Sequence, residues 1–351
     1  MDLHFARLNQ LAFGYWHAQT LFTLTQAGVF DTLHGRGGGT AGEVAAACGL
    51  DPDSGTALLD AGVALGLLRK LDGGRYDNSE MSQALLVSAT PASLVHWVRV
   101  MGRWVAPWAS LGRALQAGHA VEPQSPRIAA DPAYLEEFIL GMHEYASRTS
   151  EQVAAAVELE QPRILLDVGA GAGTYSIALC RKYPQLRSTL LDMEEVLPVA
   201  RRIVESSGLD ERIAARRTDY RSSSFGAGEA DAVLLSNVLH QESRDVGLDM
   251  LRRALAALKP GGKVIVHGHF LDESRTAPVF ATLHNLSART LWEGGHSYTT
   301  HEMVDLLAQA GFEAPAAVAV AASSTKLVMG RRPTGRDHAA TSASPLANET
   351  P

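Results

Sequence analysis

The chain has 351 residues, 46% of them hydrophobic and 20% charged, with a formal net charge of -7. That length suits two domains, each with its own core, and the acidic balance weighs against a nucleic-acid partner, because phosphate binding needs a basic footprint. The two cysteines, Cys48 and Cys180, lack CxxC spacing, the first residues lack a secretory pattern, and no run of about 18 apolar residues marks a membrane span, so a cytoplasmic protein with no membrane partner is expected.

Residues 4–34 are apolar on nearly every side of a helix, which predicts burial, here against a second subunit. Thr40 and Glu43 have capping-box spacing and open a helix that ends at Gly49. A second helix opens at Asp51-Pro52 and stops at Gly66. LLRKLDGGRYDNS then reads as two short strands around an Asp-Gly-Gly turn, completing a winged-helix arrangement. Its second helix carries two Asp and no Lys or Arg, so packing and dimerisation are expected rather than groove reading. Residues 82–118 are helical and aromatic, with Trp97, Trp104 and Trp108. HAVEPQSPRIAADPAY, with three prolines, reads as a loop, and 133–157 reads as a connecting helix.

From Arg163 the pattern alternates short apolar runs with helical segments: RILLDVG, RSTLLDM, IAARRTDY, DAVLLSNVL and KVIVHGHF. EAPAAVAVAAS and TKLVMGR follow without a helix between them and predict a terminal hairpin that places an antiparallel strand at the end of the sheet. The expected fold class is α/β, a doubly wound, seven-stranded, Rossmann-like sheet behind an N-terminal helical winged-helix domain. The divisions are 1–118, a linker and connecting helix at 119–160, the sheet domain at 161–331, and a polar tail at 332–351 expected to be disordered.

The sharpest motif is LLDVGAGAGTYS. Gly169, Gly171 and Gly173 turn a strand into a helix, where backbone can approach a ligand and the helix start offers free N–H groups. The spacing is GxGxG rather than the dinucleotide GxGxxG, which disfavours a nicotinamide oxidoreductase. Asp167 directly precedes the loop and suits a ligand bearing an ammonium and a sulfonium. Asp192 ends the next strand, placed for ribose hydroxyls, a feature that nicotinamide enzymes share. Asp219 follows the third strand and can take an adenine amino group, with Tyr220 against the ring.

LLDVGAGAGTYSIAL, LLDMEEVLPVAR, ADAVLLSNVLHQES, LKPGGKVIV and EGGHSYTTHEMVDLLAQAGF, in this order, resemble the S-adenosylmethionine-dependent O-methyltransferases related to plant caffeate and acetylserotonin methyltransferases and to their bacterial antibiotic-pathway relatives. LTQAGVFDTL and ALGLLRK resemble that family's dimerisation domain, and the resemblance covers nearly the whole chain except the tail. It implies a homodimer in which one subunit's N-terminal domain closes part of the other's site. It also implies S-adenosylmethionine at Gly169, Gly171, Asp192 and Asp219, to which we add Asp167, Gly173, Met193, Tyr220 and Ser236 as cofactor residues.

Methyl transfer needs alignment and a deprotonated nucleophile. His240 ends the run LLSNVLH at the sheet edge expected to face the cofactor, and an imidazole with pKa ~6.5 can take a phenol's proton. In the resembling family a histidine here is the general base, so the expected reaction methylates a hydroxyl of a small aromatic or polyketide-like metabolite. The chain departs from the family in reading His240-Gln241-Glu242 rather than His-Asp, and Ser297 stands where an acid is expected. Glu293 and His296 are therefore carried as further catalytic candidates. Bacterial relatives that C-methylate α-keto acids resemble the chain in placing histidines at the His240 and His296 positions, which offers a metal-assisted alternative with those two as ligands. Met142, His143, Tyr145, Asn237 and His284 are the expected contacts to the small-molecule substrate, and His267 and His269 add nearby imidazoles.

Overall fold

The structure, a computed structural model, describes residues 2–334. The tail from 335 onward, expected to be disordered, lies outside the described residues. The chain divides into two compact units that meet in sequence at Thr149 and Ser150, within the stretch read as a linker.

The N-terminal unit runs α1 (Leu3–Ala12), α2 (Gly14–Gln26), α3 (Val29–Arg36), β1 (Gly39–Thr40), α4 (Ala41–Ala47), α5 (Pro52–Ala64), β2 (Leu68–Leu71), β3 (Arg75–Asn78), α6 (Glu80–Leu85), α7 (Val95–Arg103), α8 (Val105–Ala109), α9 (Leu111–Ala117), α10 (Gln124–Ala130) and α11 (Pro132–Ala146). The helix–turn–helix and hairpin fall where the sequence puts them. Both halves of the Thr40–Glu43 capping box form, and β2 pairs antiparallel with β3. Asp60 on α5 accepts hydrogen bonds from Lys70 Nζ and Tyr76 Oη, each at 2.7 Å, so its acid locks the wing.

Three expectations change. The stretch 4–34 is three helices rather than one, and only α3 buries a full apolar face, with Val29, Phe30 and Leu33. α1 buries nothing, and Leu3, Leu8 and Leu11 stand 84%, 64% and 64% exposed. The Pro-rich segment is not a loop. Pro126 lies in the first turn of α10 and Pro132 opens α11, positions where a helix has no use for the missing N–H. Asp131 caps α11 by accepting from the N–H groups of Ala133 and Tyr134. The expected helix over 133–157 breaks after Ala146, where the Ser147 hydroxyl turns back to the His143 carbonyl.

The C-terminal unit runs α12 (Ser150–Ala156), β4 (Ile164–Val168), α13 (Thr174–Lys182), β5 (Arg187–Asp192), α14 (Leu197–Ser206), β6 (Ile213–Arg217), β7 (Ala230–Ser236), α15 (Arg244–Ala257), β8 (Leu258–Gly268), α16 (Val279–Leu291), α17 (Thr300–Ala310), β9 (Glu313–Ala319) and β10 (Lys326–Arg331). The sheet order is β6-β5-β4-β7-β8-β10-β9. The first five strands are parallel, and β10 is antiparallel to both neighbours. The terminal hairpin therefore inserts its second strand against β8 and leaves β9 at the edge. Strands covered on both faces need near-continuous apolar side chains, which Leu165, Leu166, Val168, Val233, Leu234, Leu235, Val264, Ile265 and Val266 supply. The order reverses between β4 and β7, so the carboxyl ends of these strands open a crevice suited to a ligand.

Candidate active site

The glycine loop leaves β4 and enters α13 with Gly169, Gly171 and Gly173 all at positive φ. A Cβ on Gly169 would lie 2.9 Å from Val238 Cγ2 and 3.8 Å from a ring carbon of Tyr220, so the loop is pressed between the end of β7 and that ring. The Gly169 N–H donates to the Leu191 carbonyl at 2.9 Å, which ties the loop to β5.

Asp192 closes the other side. Its Oδ2 accepts from the Gly171 N–H at 2.7 Å and its Oδ1 from the Met193 N–H at 2.8 Å. Burial pushes its pKa up to about 6, against the pull of those two donors. Each oxygen keeps a further lone pair, so the side chain presents two adjacent acceptors that two more donors would satisfy. The vicinal hydroxyls of a ribose fit that demand. Asp167 is turned under α13 instead. It accepts from the Ser176 hydroxyl at 2.7 Å, which in turn meets Ser188 at 2.8 Å, and burial pushes Asp167 up to about 7. Asp219 is exposed, with one oxygen on the Arg221 N–H (2.9 Å) and the other on the Ser222 hydroxyl (2.8 Å), which lowers its pKa. Met193 is 46% exposed beside Asp192.

Beyond β7, Ser236 Oγ sits 2.8 Å from His267 Nδ1. Asn237 holds a left-handed backbone (φ 52°), and its Oδ1 is buried with no partner. His240 follows on a short 3-10 turn, Leu239–Gln241. Its ring meets the His284 ring edge-to-face at 4.6 Å; His284 lies 5.1 Å from His269, which lies 4.6 Å from Phe280. Three imidazoles and a phenyl ring thus form a continuous wall. Burial, then the neighbouring His284, His269 and His296, lower the His240 pKa well below the ordinary imidazole value. Burial also holds His284 at about 4 and His269 at about 3. The wall is neutral at physiological pH.

His296 reaches the same turn through its backbone, its N–H donating to the His240 carbonyl at 3.0 Å. Its Nδ1 faces the Gly294 carbonyl at 3.1 Å and its ring packs on Tyr298. The structure therefore brings His240, His284 and His296 together, with Ser297 Oγ 3.3 Å from His284 Nδ1. Glu293 is exposed and makes no hydrogen bond to His240. The metal-ligand reading of His240 and His296 lacks a donor set, since among the described residues no group of three or more His, Cys, Asp or Glu side chains is placed to hold a metal.

Met142, His143 and Tyr145 lie on α11 in the N-terminal unit, where the Tyr145 ring stacks on Trp97 at 5.5 Å. Two contributors were not assigned from sequence. Phe280 was findable, because its spacing of four from His284 puts both on one face of α16. Glu242 had no such signal: it is 5% exposed yet carries a salt bridge to Arg221, a partner from another strand's end.

The O-methyltransferase domain family matches residues 121–313, and the O-methyltransferase dimerisation domain family matches residues 9–88. The chain is 33% identical over 312 residues to the 3-hydroxy-5-methyl-1-naphthoate 3-O-methyltransferase of Streptomyces sahachiroi, covering 87% of this chain and 88% of the relative. It is 26% identical to the tetracenomycin polyketide synthesis 8-O-methyl transferase of Streptomyces glaucescens, over 92% and 96% of the two chains. Among solved structures, human N-acetylserotonin methyltransferase in complex with S-adenosylmethionine matches with a TM-score of 0.86 at 27% identity, over 95% and 99% of the chains. Fold, crevice and relatives together define an S-adenosylmethionine-dependent methyltransferase. More specifically, the chain belongs to the O-methyltransferase family, which the first domain match alone carries over more than half its length. Among the described residues no helix is long and apolar enough to cross a membrane.

Proposed function

We propose that the protein methylates a hydroxyl of a small aromatic or polyketide-like metabolite, with His240 as general base. The observation that carries this reading is the neutral ring wall of His240, His284, His269 and Phe280 at the end of β7. The wall supports a flat aromatic acceptor, and the naphthoate and tetracenomycin relatives support the same class. Asn237 and His284 are read as acceptor contacts, as are Met142, His143 and Tyr145 on α11. Asp192, Gly169, Gly171, Gly173, Met193, Tyr220 and Ser236 are read as holding the methyl donor. Asp219 and Asp167 belong to the same region through the loops they brace. When bound, S-adenosylmethionine supplies an electrophilic methyl group on a sulfonium. His296 is read as bracing the His240 turn from the acceptor side. The dimerisation-domain match supports a homodimer, and two free cysteines support a reducing, cytoplasmic setting.

A base with so low a pKa is a weak base, yet it suits this reaction. The acceptor O–H becomes far more acidic as its oxygen bonds to the methyl group, so the proton is taken late, by an imidazole that is never blocked by prior protonation at neutral pH. The test is His240→Ala. Turnover should fall roughly 10²- to 10⁴-fold, while S-adenosylhomocysteine affinity by calorimetry stays unchanged. In the parent enzyme the acid limb of the rate profile should lie below the ordinary imidazole value of ~6.5, because the folded-state pKa is depressed and the base stays free as pH falls through that value. Unchanged turnover in the variant overturns the role of His240.

A further inference from the structure

We propose that Glu242 is a positioning residue for the methyl donor, clamping Tyr220 against the glycine loop from the far end of its ring. The inference rests on the reading of Tyr220 as a wall of the cofactor site. Three donors converge on one oxygen of Glu242: Tyr220 Oη at 3.1 Å, Arg221 Nε at 2.9 Å and Arg221 Nη2 at 2.8 Å. The carboxylate is 5% exposed, and a buried charge persists only when it is paired and hydrogen-bonded. Arg221 supplies the counter-charge, and its guanidinium lies 5.9 Å from the centre of the Tyr220 ring.

The ring so held is the one 3.8 Å from the Cβ position of Gly169. Burial and the Glu242 charge raise the Tyr220 pKa and keep its hydroxyl protonated, a donor to Glu242 at every physiological pH. Glu242 ends the turn that carries His240, and the His240 carbonyl holds the His296 N–H. One short segment thus grips the donor-side ring with a side chain and the acceptor-side loop with its backbone. Glu242 itself touches neither reacting atom. Its effect should appear as donor affinity, not as the chemical step.

The experiment is calorimetric titration of the full-length enzyme with S-adenosylhomocysteine, alongside thermal melting. Glu242→Ala should weaken binding by about tenfold or more, the scale of losing hydrogen bonds to a charged group. Glu242→Gln, which keeps an acceptor oxygen, should recover most of that loss. Tyr220→Phe should weaken binding in part, and adding it to Glu242→Ala should cost nothing further, since both remove the same link. If Glu242→Ala does not fold, Glu242→Gln and Tyr220→Phe carry the test. Unchanged affinity in Glu242→Ala and Tyr220→Phe, with Tyr220→Ala weakened, overturns the clamp and leaves the Tyr220 reading intact. Unchanged affinity in Tyr220→Ala as well overturns that reading too.

Discussion

At Asp192, burial and hydrogen bonding pull in opposite directions, and burial wins. The carboxyl ends at about 6, above its ordinary value, although two backbone N–H groups favour the ionised form. Only the ionised side chain can accept from two hydroxyls at once, so ligand binding and proton release are linked. The free protein holds a proton there below about pH 6, and the complex does not. Affinity for S-adenosylhomocysteine should therefore rise as pH climbs through about 6 and level off above it, changing by up to about tenfold per pH unit on the acid side. Calorimetry at pH 6 in buffers of different ionisation enthalpy should register proton release, and Asp192→Asn should abolish both the release and the slope. Residues such as Asp192 and Gly169 are legible in sequence because strand periodicity fixes which position ends each strand. Glu242 is not, because its meaning lies in partners that approach from another element, and of the ring wall the sequence offers the separate histidines but not the packed row they form with Phe280. Asp167 lies before the loop, as its sequence position implies, with its carboxylate accepting from the Ser176 hydroxyl.

Among the elements, the loop from α16 to α17 is set by how closely its backbone packs. A Cβ on Gly295 would lie 2.0 Å from the Ala288 carbonyl oxygen, and one on Gly294 would lie 2.4 Å from the Ser243 nitrogen. Both obstacles are main chain, which no side-chain rotation relieves. Gly295→Ala should destabilise the enzyme by about 1–3 kcal/mol and displace His296 from the His240 carbonyl. A lowered melting temperature together with reduced turnover is the expected pair; an unaltered melt contradicts the close packing. Element reading from sequence succeeded where caps and alternation agreed, as at Thr40 and β4. It failed at Pro126 and Pro132, because the same residue that ends one helix is favoured at the start of the next. The long apolar stretch 4–34 misled for a related reason: its composition hid the breaks after Ala12 and Gln26.

For the molecule as a whole, the doubly wound sheet was legible because its central parallel strands, β4, β7 and β8, are covered on both faces and apolar over most of their length, a pattern that needs no knowledge of neighbours. The insertion of β10 between β8 and β9 was not, since strand order is a tertiary choice. α1 presents Leu3, Leu8 and Leu11 without burying a single residue, and the dimerisation-domain match covers Leu11. Leu8→Asp with Leu11→Asp should shift the enzyme toward monomer in sedimentation while leaving the far-ultraviolet dichroism and the sheet unit intact. A variant that stays dimeric removes α1 from the interface.

The ring wall also bears on how an acceptor can be found. Moving a methyl group from a sulfonium to a hydroxyl liberates one hydrogen ion per cycle. With His269 at about 3 and His284 at about 4, neither of these rings holds it near neutrality, and the base must return it to solvent before the next cycle. For an acceptor that enters with its hydroxyl protonated, each turnover acidifies the medium by one equivalent, so a weakly buffered solution with an indicator dye that absorbs away from the acceptor becomes a meter for candidate compounds, whatever their mass.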